Sequence, residues 1–146
     1  MTITPKTILL ALAASIMLMF GFSLLSSPTS PTAPTSQPLA SKESEAGNVT
    51  ISVTPITLKS GFPASFDVTV ETHSVELDFD MEAVAGLTDA QGATYKPTWQ
   101  GSPPGGHHRS GTLTFTPDIP KRTTVTLTFR TIAGVPARTF AWEVNQ

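Results

Sequence analysis

The 146-residue chain has no cysteine. That excludes a disulfide framework, a thiolate zinc site, an acylated lipoprotein cysteine and a cysteine nucleophile. An exported domain without disulfides has to rely on sheet packing alone. Basic excess is missing too: the formal net charge is −2, so nothing draws the chain to a phosphate backbone, and no nucleic-acid partner is expected. Gly-x-Ser-x-Gly, the P-loop and the Gly-x-Gly-x-x-Gly fingerprint are absent, so no catalytic residue is assigned and the function is read as non-enzymatic. No cofactor is expected. The part after the first fifty residues also lacks a convincing amphipathic helix.

What the chain does have begins with Thr7–Leu25, TILLALAASIMLMFGFSLL, an uncharged run behind a lone Lys6. By the positive-inside rule the short amino-terminal end stays cytoplasmic and the remainder crosses the membrane. As a helix the run would span about 28 Å, close to the hydrocarbon thickness and longer than the core of a cleavable signal. Cleavage sites are poor, because Leu24 and Leu25 occupy the −3 position for cuts after Ser26 or Ser27. A retained signal anchor is favoured over a cleaved signal peptide. The first reading gives a single-pass membrane protein with an extracytoplasmic C-terminal domain, and the second a secreted one.

Residues 26–46 read as a linker rich in Pro, Ser and Thr. Pro28, Pro31 and Pro34 recur every third residue, the turn of a polyproline II rod, and Ser41–Glu45 is polar and expected to be mobile. Residues 47–146 form the expected folded domain. Val49, Ile51 and Val53 alternate with polar residues, as do Phe66, Val68 and Val70. Val75–Met81 alternates most cleanly, with Glu76, Asp78, Asp80 and Glu82 on its outer face. Ala83–Leu87 is ambiguous between strand and helical turn, Asp89–Gly92 reads as a tight turn, and Gln100–Ser110 as a long loop. Further alternation at Tyr95–Trp99, Thr112–Thr116, Thr124–Arg130 and Phe140–Val144 brings the count to about seven or eight short strands. The pattern predicts an all-β fold, an immunoglobulin-like β-sandwich, with a small closed barrel as runner-up.

Charge is divided along the chain. Every charged residue from Asp67 to Asp89 is acidic, and from Lys96 to Arg138 all but Asp118 are basic. Pairing of the halves across neighbouring strands is the favoured expectation, and a dipolar surface that steers a partner is the alternative.

Adjacent histidines in the Gly- and Pro-rich loop are the most unusual feature. His107, His108 and Arg109 are candidate ligand-binding residues, and His73, His107 and His108 candidate metal ligands for zinc or copper, since neutral imidazole suits both. The plainer reading has one imidazole bonded to backbone and the other in water. Trp99 and Tyr95 are read as core residues rather than an aromatic platform. The carboxylate row Glu76–Glu82 is read as solvated surface ahead of a calcium site or a glycosidase pair.

His73-Ser74-Val75-Glu76-Leu77, Trp99, Gly105-Gly106-His107-His108, Gly111-x-Leu113-x-Phe115 and Phe140-x-Trp142 together resemble small exported or membrane-tethered immunoglobulin-like β-sandwich domains of prokaryotes, largely uncharacterised. The resemblance implies a fold and a location, and no activity. The resulting expectation is a membrane-anchored binding or interaction module for an unknown protein or small-molecule ligand. Alternatives are a metal-binding envelope protein using the His107-His108 loop, or an accessory subunit of a membrane complex packed through its helix.

Overall fold

Period-two burial sets the architecture. The computed structural model describes residues 39–146; Thr7–Leu25 and the prolines of the expected linker lie outside the described residues. Eight strands follow one another: β1 (Lys42–Ala46), β2 (Val49–Thr57), β3 (Ala64–Thr72), β4 (Ala85–Asp89), β5 (Thr94–Gly101), β6 (His108–Thr116), β7 (Thr124–Ile132) and β8 (Val135–Glu143). The one helix among the described residues is the single turn α1 (Met81–Val84), ahead of β4. No helix there is long and apolar enough to cross a membrane.

All neighbouring strands are antiparallel, in the order β1-β2-β3-β6-β5-β4-β7-β8. The link between β5 and β4 rests on two pairs, Leu87↔Tyr95 and Thr88↔Thr94. There the sheet folds over, so that β1-β2-β3-β6-β5 forms one layer and β4-β7-β8 the other. Between them lies a core of Val49, Ile51, Val68, Val70, Leu113, Leu127 and their neighbours, with Phe66 against both Phe115 and Trp142. Apolar burial of about 1.5–3 kcal/mol for each such side chain is the main stabilising contribution. Polar Thr and Ser on the outer positions keep the register, because a one-residue slip would turn the core to solvent.

The two outermost strands almost close the sheet. β1 and β8 run past each other without a backbone ladder, laced by side chains instead. Lys42 Nζ donates to Ala141 O at 2.5 Å, Trp142 Nε1 to Ala40 O at 3.0 Å and Arg138 Nη2 to Ala46 O at 2.6 Å. The all-β class and the strand count agree with the sequence pattern.

Four local expectations change. Ser41–Glu45, expected to be mobile, is largely strand β1, paired with β2 from Lys42↔Val53 to Ala46↔Val49 through a Gly47-Asn48 turn with both residues at positive φ. Gly47 suits that turn because a Cβ there would stand 2.5 Å from Ala133 O. Val75–Met81 is not a strand, for reasons given below. Ala83–Leu87 is both things that were weighed, the end of a helical turn running straight into β4. Finally, the loop expected at 100–110 is shorter, because β5 extends to Gly101 and β6 begins at His108.

At the far end from the histidines, Asp89 Oδ1 accepts from the N–H groups of Gln91 and Ala93, and Tyr95 donates its hydroxyl to Asp89 Oδ2 at 3.0 Å. Burial opposes ionisation of Asp89, yet these hydrogen bonds and nearby Lys121 prevail and hold its carboxyl below the usual range. Tyr95 is pushed up by burial and then by Asp89. It is a core residue, as expected.

Candidate functional site

The histidines, most of the acids and the glycine-rich loop gather at one end of the sheet. β3 ends there at Thr72, β6 starts there at His108, and residues 73–80 and 102–107 cross the opening. These two segments are stitched together by backbone and carboxylate. Gly105 N donates to Leu77 O, Leu77 N to Gly106 O, and Gly106 N to Glu76 Oε1 at 2.6 Å.

Arg109 is the strut beneath them. Its guanidinium donates to the carbonyls of Phe79 at 2.6 Å, Leu77 at 3.2 Å and Ser102 at 3.3 Å, and lies over the Phe79 ring. With 1% of its surface exposed, it is not a contact residue of the loop. Burial lowers its pKa, with Asp80 opposing. β6 alternation explains the placement: Arg109, Gly111, Leu113 and Phe115 share the inner face, so Arg109 has to point inward. This strut also explains why Val75–Met81 alternates without being a strand. Leu77 and Met81 are buried as a strand would bury them, but carbonyl 79 is satisfied by a side chain, and carbonyl 77 by that side chain and the lone N–H of Gly105, rather than by a ladder.

Trp99 is anchored at the same end, Nε1 donating to Ser102 O at 3.0 Å. Its indole lies over the Gly101↔Gly111 pair, where a Cβ on either glycine would come within 3 Å of the ring. Packing of this kind makes Trp99 a wall of the core's end and not a platform. Its backbone N–H, on the edge that β5 turns away from β4, donates to Glu82 Oε1 at 2.8 Å.

Of the candidate ligands, the structure brings His73 and His108 together and leaves His107 apart. The first two rings are 6.4 Å apart between centroids, edge to face, and His108 Nδ1 lies 3.5 Å from Glu71 Oε1. His107 and His108 are both exposed, and the His107 carbonyl is fixed by Thr72 N at 3.0 Å. Beside this group is an open depression of about 390 Å³ lined by Glu45, Asn48, Thr50, Glu71 and His73, among others. Among the described residues no three His, Asp or Glu side chains stand close enough to hold a metal ion. The sequence signal for Glu71 was weak. Only the β3–β6 register, Glu71↔His108, reveals the partnership.

Charges separate instead of pairing. Among the described residues the one contact within 4.0 Å between a basic side-chain nitrogen and a carboxylate oxygen is His108 with Glu71; no Lys or Arg pairs with an Asp or Glu. The favoured expectation of cross-strand pairing therefore fails. Its physical reason is register: strand direction carries Glu71, Glu76, Asp78, Asp80 and Glu82 to one end, with Glu45 of β1, while Lys59, Lys96, Lys121 and Arg122 fall at the other. Three basic residues reach the acidic half: Arg109 and Arg138 are buried and bonded to carbonyls, and Arg130, near the end of β7, is exposed.

No family model matches the chain, and no curated protein matches it. Among solved structures, a DUF4426 family protein from Pseudomonas aeruginosa PAO1 is similar at 13% identity with a TM-score of 0.45, over 72% of this chain and 94% of that one.

Proposed function

We propose that the chain is an envelope protein held by Thr7–Leu25, whose β-domain is a non-enzymatic binding module. The finer fold in this reading is an immunoglobulin-type sandwich with one added strand. The order β2-β3-β6-β5 follows the A-B-E-D sheet of that architecture and β4-β7-β8 follows C-F-G, with β1 outside the set.

One observation carries the functional reading. β1 runs toward the acidic end, from Lys42 beside Val53 to Ala46 beside Val49, so the chain arrives from the opposite end. The 73–80 and 102–107 segments therefore stand at the end of the domain opposite the one where the chain enters it. Six exposed carboxylates there, Glu45, Glu71, Glu76, Asp78, Asp80 and Glu82, favour a partner with a basic face and speed its approach.

A photo-reactive residue in place of His107, compared with one in place of Lys121, tests this in native membranes. Protein adducts are expected from position 107 and not from 121, and Glu45→Lys with Asp78→Lys should abolish them at an unchanged melting temperature. Adducts that survive the charge reversal, or none from 107, end the reading.

Metal binding is a second reading, supported by the ring spacing of His73 and His108. Two imidazoles sharing a zinc at about 2.0–2.1 Å per bond have centroids roughly 5–6 Å apart, a small side-chain adjustment from what is seen. Calorimetry with zinc should then show binding lost in His108→Ala and kept in His107→Ala; the reverse pattern, or no heat at all, ends it.

A further inference from the structure

We infer that the end of the domain opposite the histidines is a bilayer-facing surface for anionic phospholipid, with Phe62 and Ile56 as its apolar contacts. The inference rests on the proposed anchor for bringing the domain to a membrane, and goes beyond it in saying which face meets the lipid.

Ile56 and Phe62 are the exposed large apolar side chains of the described residues, at 58% and 46%. They share one end of the sheet, Ile56 at the irregular end of β2 and Phe62 in the β2–β3 connection. Lys59 Nζ sits 3.9 Å from the centre of the Phe62 ring. The neighbouring β6–β7 connection, which holds Lys121 and Arg122, is fastened to this one: Gly61 N donates to Ile119 O at 2.7 Å and Ile119 N to Phe62 O at 3.0 Å. Aromatic ring and three cations thus occupy two loops joined by hydrogen bonds, with the aliphatic side chain on the adjoining end of β2. Aromatic and basic residues side by side are the composition that seats in a headgroup layer.

Charge gives the direction. Asp118 shares these loops, and Asp89 and Glu143 stand at nearby strand ends. The surface is therefore mixed, against an opposite end that carries six exposed carboxylates and one exposed cation, Arg130 near the end of β7. An anionic bilayer repels that acidic end and attracts Lys59, Lys121 and Arg122, each worth about 1 kcal/mol close to the surface. The chain position agrees. Ser41 Oγ is bonded to Val53 O and Thr54 Oγ1, so residues 39–41, leading back to Thr7–Leu25, run beside the strand that carries Ile56.

Because the chain has no cysteine, Ser60→Cys and His107→Cys each accept one nitroxide without background. The full chain is placed in nanodiscs of phosphatidylcholine with and without phosphatidylglycerol, and power saturation compares access of oxygen with that of a water-soluble nickel chelate. The label at 60 should gain oxygen and lose nickel access in anionic discs, while the label at 107 stays in water. Adding Lys59→Glu, Lys121→Glu and Arg122→Glu, or Phe62→Ser, should erase the gain at 60 without changing the melting temperature. Equal water access at both labels in anionic discs overturns the inference. A chain that does not enter nanodiscs refutes the anchor instead. In that case the same two labels, read with anionic vesicles added to the chain, decide the face: a gain at 60 supports it, and no gain overturns it.

Discussion

Arg109 shows how one side chain can replace a strand neighbour. Residues 75–79 have inward apolar positions but no second strand to take their carbonyls, and the guanidinium supplies the donors. Its planar fork suits carbonyls from two different segments, which a lysine ammonium reaches less well. The charge is costly to bury, and Arg109 Nε has no hydrogen-bond partner among the described residues. Replacing it with Met removes that cost but leaves Phe79 O without a donor and takes one of two donors from Leu77 O and from Ser102 O. One unsatisfied buried carbonyl costs roughly 1–3 kcal/mol and each of the two other lost bonds about 1 kcal/mol, which outweighs the relief. Arg109→Met should therefore lose about 2–4 kcal/mol in urea unfolding, with Arg109→Lys in between. His107→Ala, a few ångströms of chain away and exposed, should stay within about 0.5 kcal/mol of the parent. If Arg109→Met were as mild as His107→Ala, the strut would be idle and Arg109 would return to the candidates for ligand contact.

At the level of elements, alternation revealed burial faithfully and pairing less so. β2, β3, β6 and β7 are legible because Val, Ile, Leu and Phe recur every second residue, β5 because Tyr95, Pro97 and Trp99 do, and each has a ladder on both sides. Val75–Met81 has the same pattern and no ladder, since side-chain periodicity reports which face is wet and is silent on what the backbone bonds. β1 is the converse. Lys-Glu-Ser-Glu-Ala buries nothing apolar, so its sequence looks like linker, and it is a strand only because the Gly47-Asn48 turn returns the chain along the β2 edge. The candidate site was half legible. Adjacent histidines were conspicuous, but a strand sends neighbours to opposite faces, so His108 finds Glu71 and His73 while His107 does not join them. Arg109 falls in a stretch that reads as loop; only because β6 begins at His108 does the phase of Leu113 and Phe115 carry back to Arg109 and turn it inward.

For the whole domain, the weakest line is the seam between β1 and β8. A sheet with two edges invites pairing with other chains, and full closure removes that hazard. Here closure rests on three side-chain hydrogen bonds, two of them from donors in the inner half of β8. Arg138 is 4% exposed and spends one nitrogen on Ala46 O, leaving Nε and Nη1 unpaired among the described residues. Trp142 is likewise tied by its indole to Ala40 O. A chain beginning at Gly47 loses the five-residue ladder on β2 and both of these acceptors together. It also uncovers the backbone edge of β2, whose Val49, Ile51 and Val53 are fully buried. Although β1 brings no apolar side chain to the core, its loss leaves a buried guanidinium without its carbonyl, at roughly 1–3 kcal/mol, and strips hydrogen bonds of about 1 kcal/mol each from the ladder. The truncated domain should lose about 3–5 kcal/mol relative to one beginning at Leu39. It should also associate with rising concentration in sedimentation velocity, where the longer form stays monomeric. Restoring Lys42–Ala46 as a separate peptide should reverse the association if the β2 edge is what pairs. Association that ignores the peptide would place the sticky surface elsewhere, with Ile56 and Phe62 the next to replace.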